Sequence, residues 1–111
     1  MTFAEKNAHG VTNSTTAVDV VGPPGSAHTF VVRNIVVQNR DTVAATVILQ
    51  LVDSTGPTTT RLHKQTIDPD ATLLFEAIVV LDATTKKVQI VLGAAITTTQ
   101  LDFTCAYGDV S

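Results

Sequence analysis

The amino-acid sequence predicts an all-β fold: an antiparallel β-sandwich of jelly-roll or immunoglobulin-like type, with about seven strands and an extended N-terminal arm. Three observations carry that reading. Roughly a sixth of the residues are Thr, and Val and Ile are abundant; a branched Cβ loses less freedom on a pleated surface than in a helix. Apolar and polar residues alternate in short runs, and no segment sustains a period of 3.6. Clusters of Gly, Pro, Asn, Asp and Ser separate these runs at the spacing of a sandwich. With 111 residues, 44% of them hydrophobic, the chain can build one core but not two.

Residues 1–14 mix small and polar side chains with Gly10 and show no periodicity that would bury a face. They are expected to form an arm, with residues 15–111 as the sandwich domain. Deleting the arm is then expected to leave the fold intact. A short β-rich run, 15–21, ends at Gly22-Pro23-Pro24-Gly25, where the prolines remove backbone donors and the glycines permit reversal. Residues 28–39 carry a strong strand signal, interrupted by the adjacent pair Val36-Val37. Such a break signals burial on both faces or a bulge. Asn39-Arg40-Asp41-Thr42 has turn chemistry, and 45–52 alternates with Val47, Leu49 and Leu51 on one face, so the two runs are expected to pair antiparallel.

The segment 53–60 (DSTGPTTT) is a loop, because Gly56-Pro57 cannot continue a ladder. Residues 61–67 form a polar edge strand. Asp68-Pro69-Asp70 turns the chain into the nearly continuous apolar run 72–81, for which a strand is expected and a local helix over 71–80 is the alternative. Val88, Ile90 and Leu92 alternate on one face of 87–92. The last strand, 100–107, sends Leu101, Phe103, Cys105 and Tyr107 one way.

The chemistry-bearing residues point away from catalysis. No nucleophile sits beside a base and no pair of carboxylates has acid-base spacing, so the chain is expected not to be an enzyme. His9, His28 and His63 have no partners at metal-ligand spacing, Asp68-Pro69-Asp70 offers too few oxygens for calcium, and the proline-containing 22–25 turn lacks the N–H groups of a phosphate loop. No cofactor or metal is expected. Net charge is -3 and the seven basic residues are scattered, which argues against nucleic acid. No apolar run reaches membrane-spanning length and no secretion signal is evident, so a soluble chain made in the cytoplasm is expected. The lone Cys105 fits a small core residue.

Candidate contact residues remain. The arm lacks burial of its own, so Thr2, Phe3 and Ala4 are expected to touch a neighbouring subunit, with Phe3 as the apolar anchor. Arg33, flanked by Val31, Val32, Ile35 and Val36, is expected to lay its stem on apolar surface and reach outward. Glu76, inside an apolar run, either faces solvent, pairs with Arg33 or Arg61, or contacts a neighbouring subunit.

The elements GPPGSAHTFVVRNIVVQN, ATVILQLVDS, RLHKQTIDPDATLLFEAIVVLDATTKKVQIVLG and LDFTCAYGDVS together resemble small β-sandwich proteins of tailed-bacteriophage virions. In that family a Pro-Gly turn precedes a V-R-x-I-V-V-x-N strand, matched here by Val32 to Asn39. The T-V-x-L-x-L-V strand is matched by Thr46 to Val52, the D-P-D turn and apolar strand by Asp68 to Leu81, and the final strand by Phe103 to Gly108. The likeness spans residues 15 to 111, and it departs from the family at Asp82 to Lys86, where a Gly-Asp turn is usual. It implies a virion structural protein of the capsid decoration or cement type, homo-oligomeric, whose partner is the major capsid protein or another virion protein. A ring component of the neck or tail is the nearest alternative. A carbohydrate-binding module is the third reading, disfavoured because the chain has no Trp and one Tyr to stack on sugar rings.

Overall fold

A computed structural model describes residues 2–94 and 101–111. Nine strands form two antiparallel sheets packed face to face: β1 (Phe3–Thr12), β2 (Val18–Val21), β3 (Thr29–Asn39), β4 (Ala45–Asp53), β5 (Thr58–Ile67), β6 (Thr72–Phe75), β7 (Val79–Leu81), β8 (Lys86–Leu92) and β9 (Leu101–Val110). Sheet A has the order β1-β9-β3-β6, with β7 also on β3, and sheet B the order β2-β8-β4-β5. Apart from β6 to β7, only the β4–β5 connection stays within one sheet; the other consecutive strands alternate between layers. That winding is the jelly-roll arrangement and decides between the two sandwich types expected. No helix occurs among the described residues, so the alternative for 71–80 falls away.

The core follows from period-two alternation. Val47 and Leu49 of β4, Val88, Ile90 and Leu92 of β8, and Leu101, Phe103 and Cys105 of β9 are all buried, as the sequence pattern requires. The first residue of the expected last strand, Gln100, lies outside the described residues. On β3 the buried apolar positions are Val32, Ile35 and Val37. Val32 and Ile35 are three apart, and both can point inward because the register against β9 shifts between Val32 and Asn34. The bulge therefore sits at Arg33, three residues before the Val36-Val37 pair that suggested one.

Two expectations are corrected. The segment 1–14 is not a separate arm: β1 pairs with β9 over ten consecutive residues, from Phe3 opposite Val110 to Thr12 opposite Leu101. The residues turned toward the other sheet are Ala4, Ala8, Gly10 and Thr12, all small because β9 supplies the bulk, while Lys6 on the same face stays exposed and reaches Asp109. A Cβ on Gly10 would lie 2.6 Å from the Phe103 ring, so that glycine forms the roof over the largest buried side chain. The second correction concerns the runs 28–39 and 45–52, which do not pair. β3 belongs to sheet A and β4 to sheet B.

Asn39 explains that crossing. Its side chain is fully buried, and its Nδ2 donates to the carbonyls of Val43 and Ile67, both at 2.9 Å. Its Oδ1 accepts from the Asp41 amide at 2.9 Å, and its own backbone bonds the 68–71 turn through Ala71 and Asp70. One side chain thus ties the β3–β4 crossover to the end of β5 and, through the backbone, to the β5–β6 crossover. A tight hairpin would leave no room for such an amide in the core.

Candidate interaction surfaces

Charged and aromatic groups gather at one end of sheet A. Gly108 of β9 stands opposite Glu5, and a Cβ there would come within 2.6 Å of the Phe3 ring, which fills the space the glycine leaves. The Arg33 guanidinium, turned outward by the bulge, lies 5.5 Å from the centre of that ring and 3.3 Å from Glu5. So the structure brings Phe3 and Arg33 together across β9. Thr2 is held by two backbone bonds to Ser111, at 2.7 and 2.8 Å, and Ala4 lies on the opposite face of β1, opposite Asp109. Phe3, expected to anchor on a neighbour, spends part of its surface within its own chain and keeps 51% exposed.

Beneath this group, Asp109 is nearly buried and bonded twice: its Oδ1 is 2.8 Å from His28 Nδ1 and its Oδ2 is 3.2 Å from Lys6 Nζ. The hydrogen bond from His28, helped by Lys6, holds the carboxyl below the usual aspartate value against the opposing effect of desolvation. The cluster fastens β1 and the loop before β3 to the end of β9. It is structural in what it touches, and among the described residues no three His, Cys, Asp or Glu side chains converge as a metal site. Cys105 is buried and its thiol is pushed up to about 11 by desolvation, which leaves it a poor nucleophile.

Glu76 is exposed in the break between β6 and β7 and does not pair with Arg33, which turns to Glu5 instead. Around it lies the feature the sequence reading missed. Leu74, Ile78 and Val80 are 53%, 75% and 46% exposed, and Val11 on β1 is 47% exposed. Leu74 and Val80 project from the outer face because Leu73, Val79 and Leu81 take the inward positions. Of the six exposed large apolar side chains among the described residues, five (Phe3, Val11, Leu74, Ile78, Val80) lie on the two outer margins of sheet A; the sixth, Val43, is in the β3–β4 crossover. The signal available in the sequence was the nearly continuous apolar run 72–81, which as one strand would need cover on both faces.

Sheet B presents a different surface. Gln89 donates to Asp19 at 2.9 Å and accepts from Gln50 at 3.2 Å, and Lys87 pairs with Asp19 at 3.3 Å, so polar side chains bridge β2, β8 and β4. At one end, Val43, Ala44, Thr46, Ile48, Lys64 and Thr66 line an open depression of about 570 Å³, with the Thr46 and Thr66 hydroxyls 3.0 Å apart.

No protein-family model matches the chain, and no curated protein sequence matches it. Among solved structures, the chain is similar to the protein of Bacillus endospore appendages, a novel family of disulfide-linked pili, at 15% identity over 99% of this chain and 88% of that one, with a TM-score of 0.56. At that identity the likeness establishes a shared fold. Two viral structures are more distant: infectious bursal disease virus Gt strain (8% identity, 97% of this chain and 32% of that one, TM-score 0.35) and the virus-like particle of the Macrobrachium rosenbergii extra small virus (12%, 95% and 80%, TM-score 0.31). Their scores are too low to bear on the argument.

Proposed function

We propose that this chain is a non-enzymatic structural subunit that acts in many copies within an external protein assembly, and that the assembly is a virion whose head lattice it decorates and stabilises. The observation that carries the proposal is the placement of exposed apolar side chains along both margins of one sheet, while the sheet B face carries paired polar groups across β2, β8 and β4. Apolar surface gathered in this way marks a place where another protein binds. The virion placement draws on the sequence resemblance, and its partner is the major capsid protein or another virion protein. Many weak contacts repeated on a lattice hold strongly through effective concentration, so a small domain suffices.

A ring or fibre component, in a virion neck or tail or in an appendage, is the second reading. The position of the apolar residues at sheet edges favours it, because edges join neighbours in a line. The test is immunogold labelling of particle and filament fractions from the source of the chain. Label spread over capsid shells supports decoration, and label confined to tails or fibres supports the second reading. Label found only with soluble protein overturns both.

A further inference from the structure

The two margins of sheet A fit each other. The strands across sheet A, β1, β9, β3 and then β6 and β7, alternate in direction, so β1 and the β6–β7 edge run opposite ways. When a second copy is placed beside the first by translation, its β6–β7 edge meets β1 antiparallel, and the sheet continues without a reversal of pattern. β1 is continuous over 3–12, and the other margin consists of two short strands, β6 (72–75) and β7 (79–81), on either side of a break. β1 pairs with β9 without any register shift, which leaves its outer rim regular. The edges of sheet B differ: β5 has a bulge between its pairings with Leu49 and Gln50 and carries Arg61 and Lys64, and β2 is four residues long with a register shift of its own. Bulges, shortness and charge are devices that blunt edges; β6 and β7 are short as well, but among the described residues only the margins of sheet A add exposed large apolar side chains to theirs.

We infer that the β1 edge of one copy pairs with the β6–β7 edge of a second copy of this chain, joining subunits head to tail. This rests on the reading of the chain as a structural subunit and names its partner surface. Charge permits the contact: Glu5 is paired with Arg33 and Lys6 with Asp109 inside each subunit. The antiparallel register that sets Val11 opposite Leu74 leads His9 toward the break after β6 that holds the exposed Glu76. A heterologous contact of this kind does not close on itself by translation, so it produces linear arrays, wound by the natural twist of the sheet.

The test uses two single-edge variants, Val11→Lys and Leu74→Lys, at positions exposed enough for the fold to keep its circular dichroism spectrum and melting temperature. Sedimentation velocity of the wild-type chain is expected to show a concentration-dependent ladder of multimers, and each variant alone a monomer. An equimolar mixture is expected to give a heterodimer and nothing larger, because each variant keeps the edge that the other has lost. Thr59→Lys on β5 is expected to leave the multimers unchanged. A wild-type chain that stays monomeric, or variants that stay monomeric when mixed, overturns the edge pairing. Either result would leave standing a structural role through other surfaces, which the labelling experiment addresses on its own.

Discussion

Replacing Asn39 probes the feature that decides which sheet each half of the chain enters. Asn39→Ala removes three side-chain hydrogen bonds, two of them fully within the protein, to the Ile67 carbonyl and from the Asp41 amide. The third partner, the Val43 carbonyl, is partly buried and regains water. An orphaned buried polar group costs about 1–3 kcal/mol, so two of them give a loss of about 2–6 kcal/mol. That is a large share of the roughly 5–15 kcal/mol that holds a typical domain together. Asn39→Asp keeps the volume and the acceptor for Asp41, but it turns lone pairs toward two carbonyls and should destabilise at least as much. The new carboxyl would have its pKa raised in the folded state, so this variant should recover stability as pH falls, opposite in sign to an ordinary paired aspartate. Urea unfolding followed by circular dichroism measures both. If both variants stay within about 1 kcal/mol of wild type, the amide does not hold the crossover and the account of the β3–β4 connection fails.

Other outcomes follow from the same contacts. Phe103→Ala should lower stability by about 3–5 kcal/mol, since the ring is 2% exposed, and a loss below about 1 kcal/mol in urea unfolding would refute its core position. Deleting residues 2–12 should abolish cooperative unfolding, because β1 roofs Phe103 and covers β9; a truncated chain that melts like wild type would return the segment to an arm. Asp109 has a lowered folded-state value, so its stabilisation is present above the unfolded value near 3.8 and is lost as pH falls through the folded one. Asp109→Asn should accordingly flatten the decline of the urea midpoint in that acid range, and an unchanged slope would contradict it. The Cys105 thiol, pushed up to about 11, should react with a maleimide at neutral pH only after denaturation.

Strands whose inward residues are large were legible from alternation alone: β4, β8 and β9 appear where Val47, Val88 and Phe103 predict them. β1 was not, because its inward positions hold Ala4, Ala8 and Gly10, residues that carry no hydrophobic period. They are small because Phe103 and its neighbours on β9 reach across to them, a fact about another part of the chain. The turn residues 39–42 read as a hairpin since local turn chemistry does not say which sheet comes next; the burial of the Asn39 amide does. The apolar run 72–81 read as one strand, whereas it breaks at 76–78 and turns Leu74, Ile78 and Val80 to the outside. Phe3 and Arg33 were legible as candidates for contact, but their meeting over Gly108 depends on the β1–β9 register and on the bulge at Arg33. Among the expected contact residues, Thr2 and Ala4 are engaged chiefly with the C-terminal strand of their own chain.

The most direct measurement for the structural role is the copy number of this chain in purified particles, by quantitative mass spectrometry against the major capsid protein. Hundreds of copies per particle are the predicted result for a subunit that decorates the head lattice. A number near six or twelve would place it in a ring of the neck or tail, and its absence from particles would contradict the virion account.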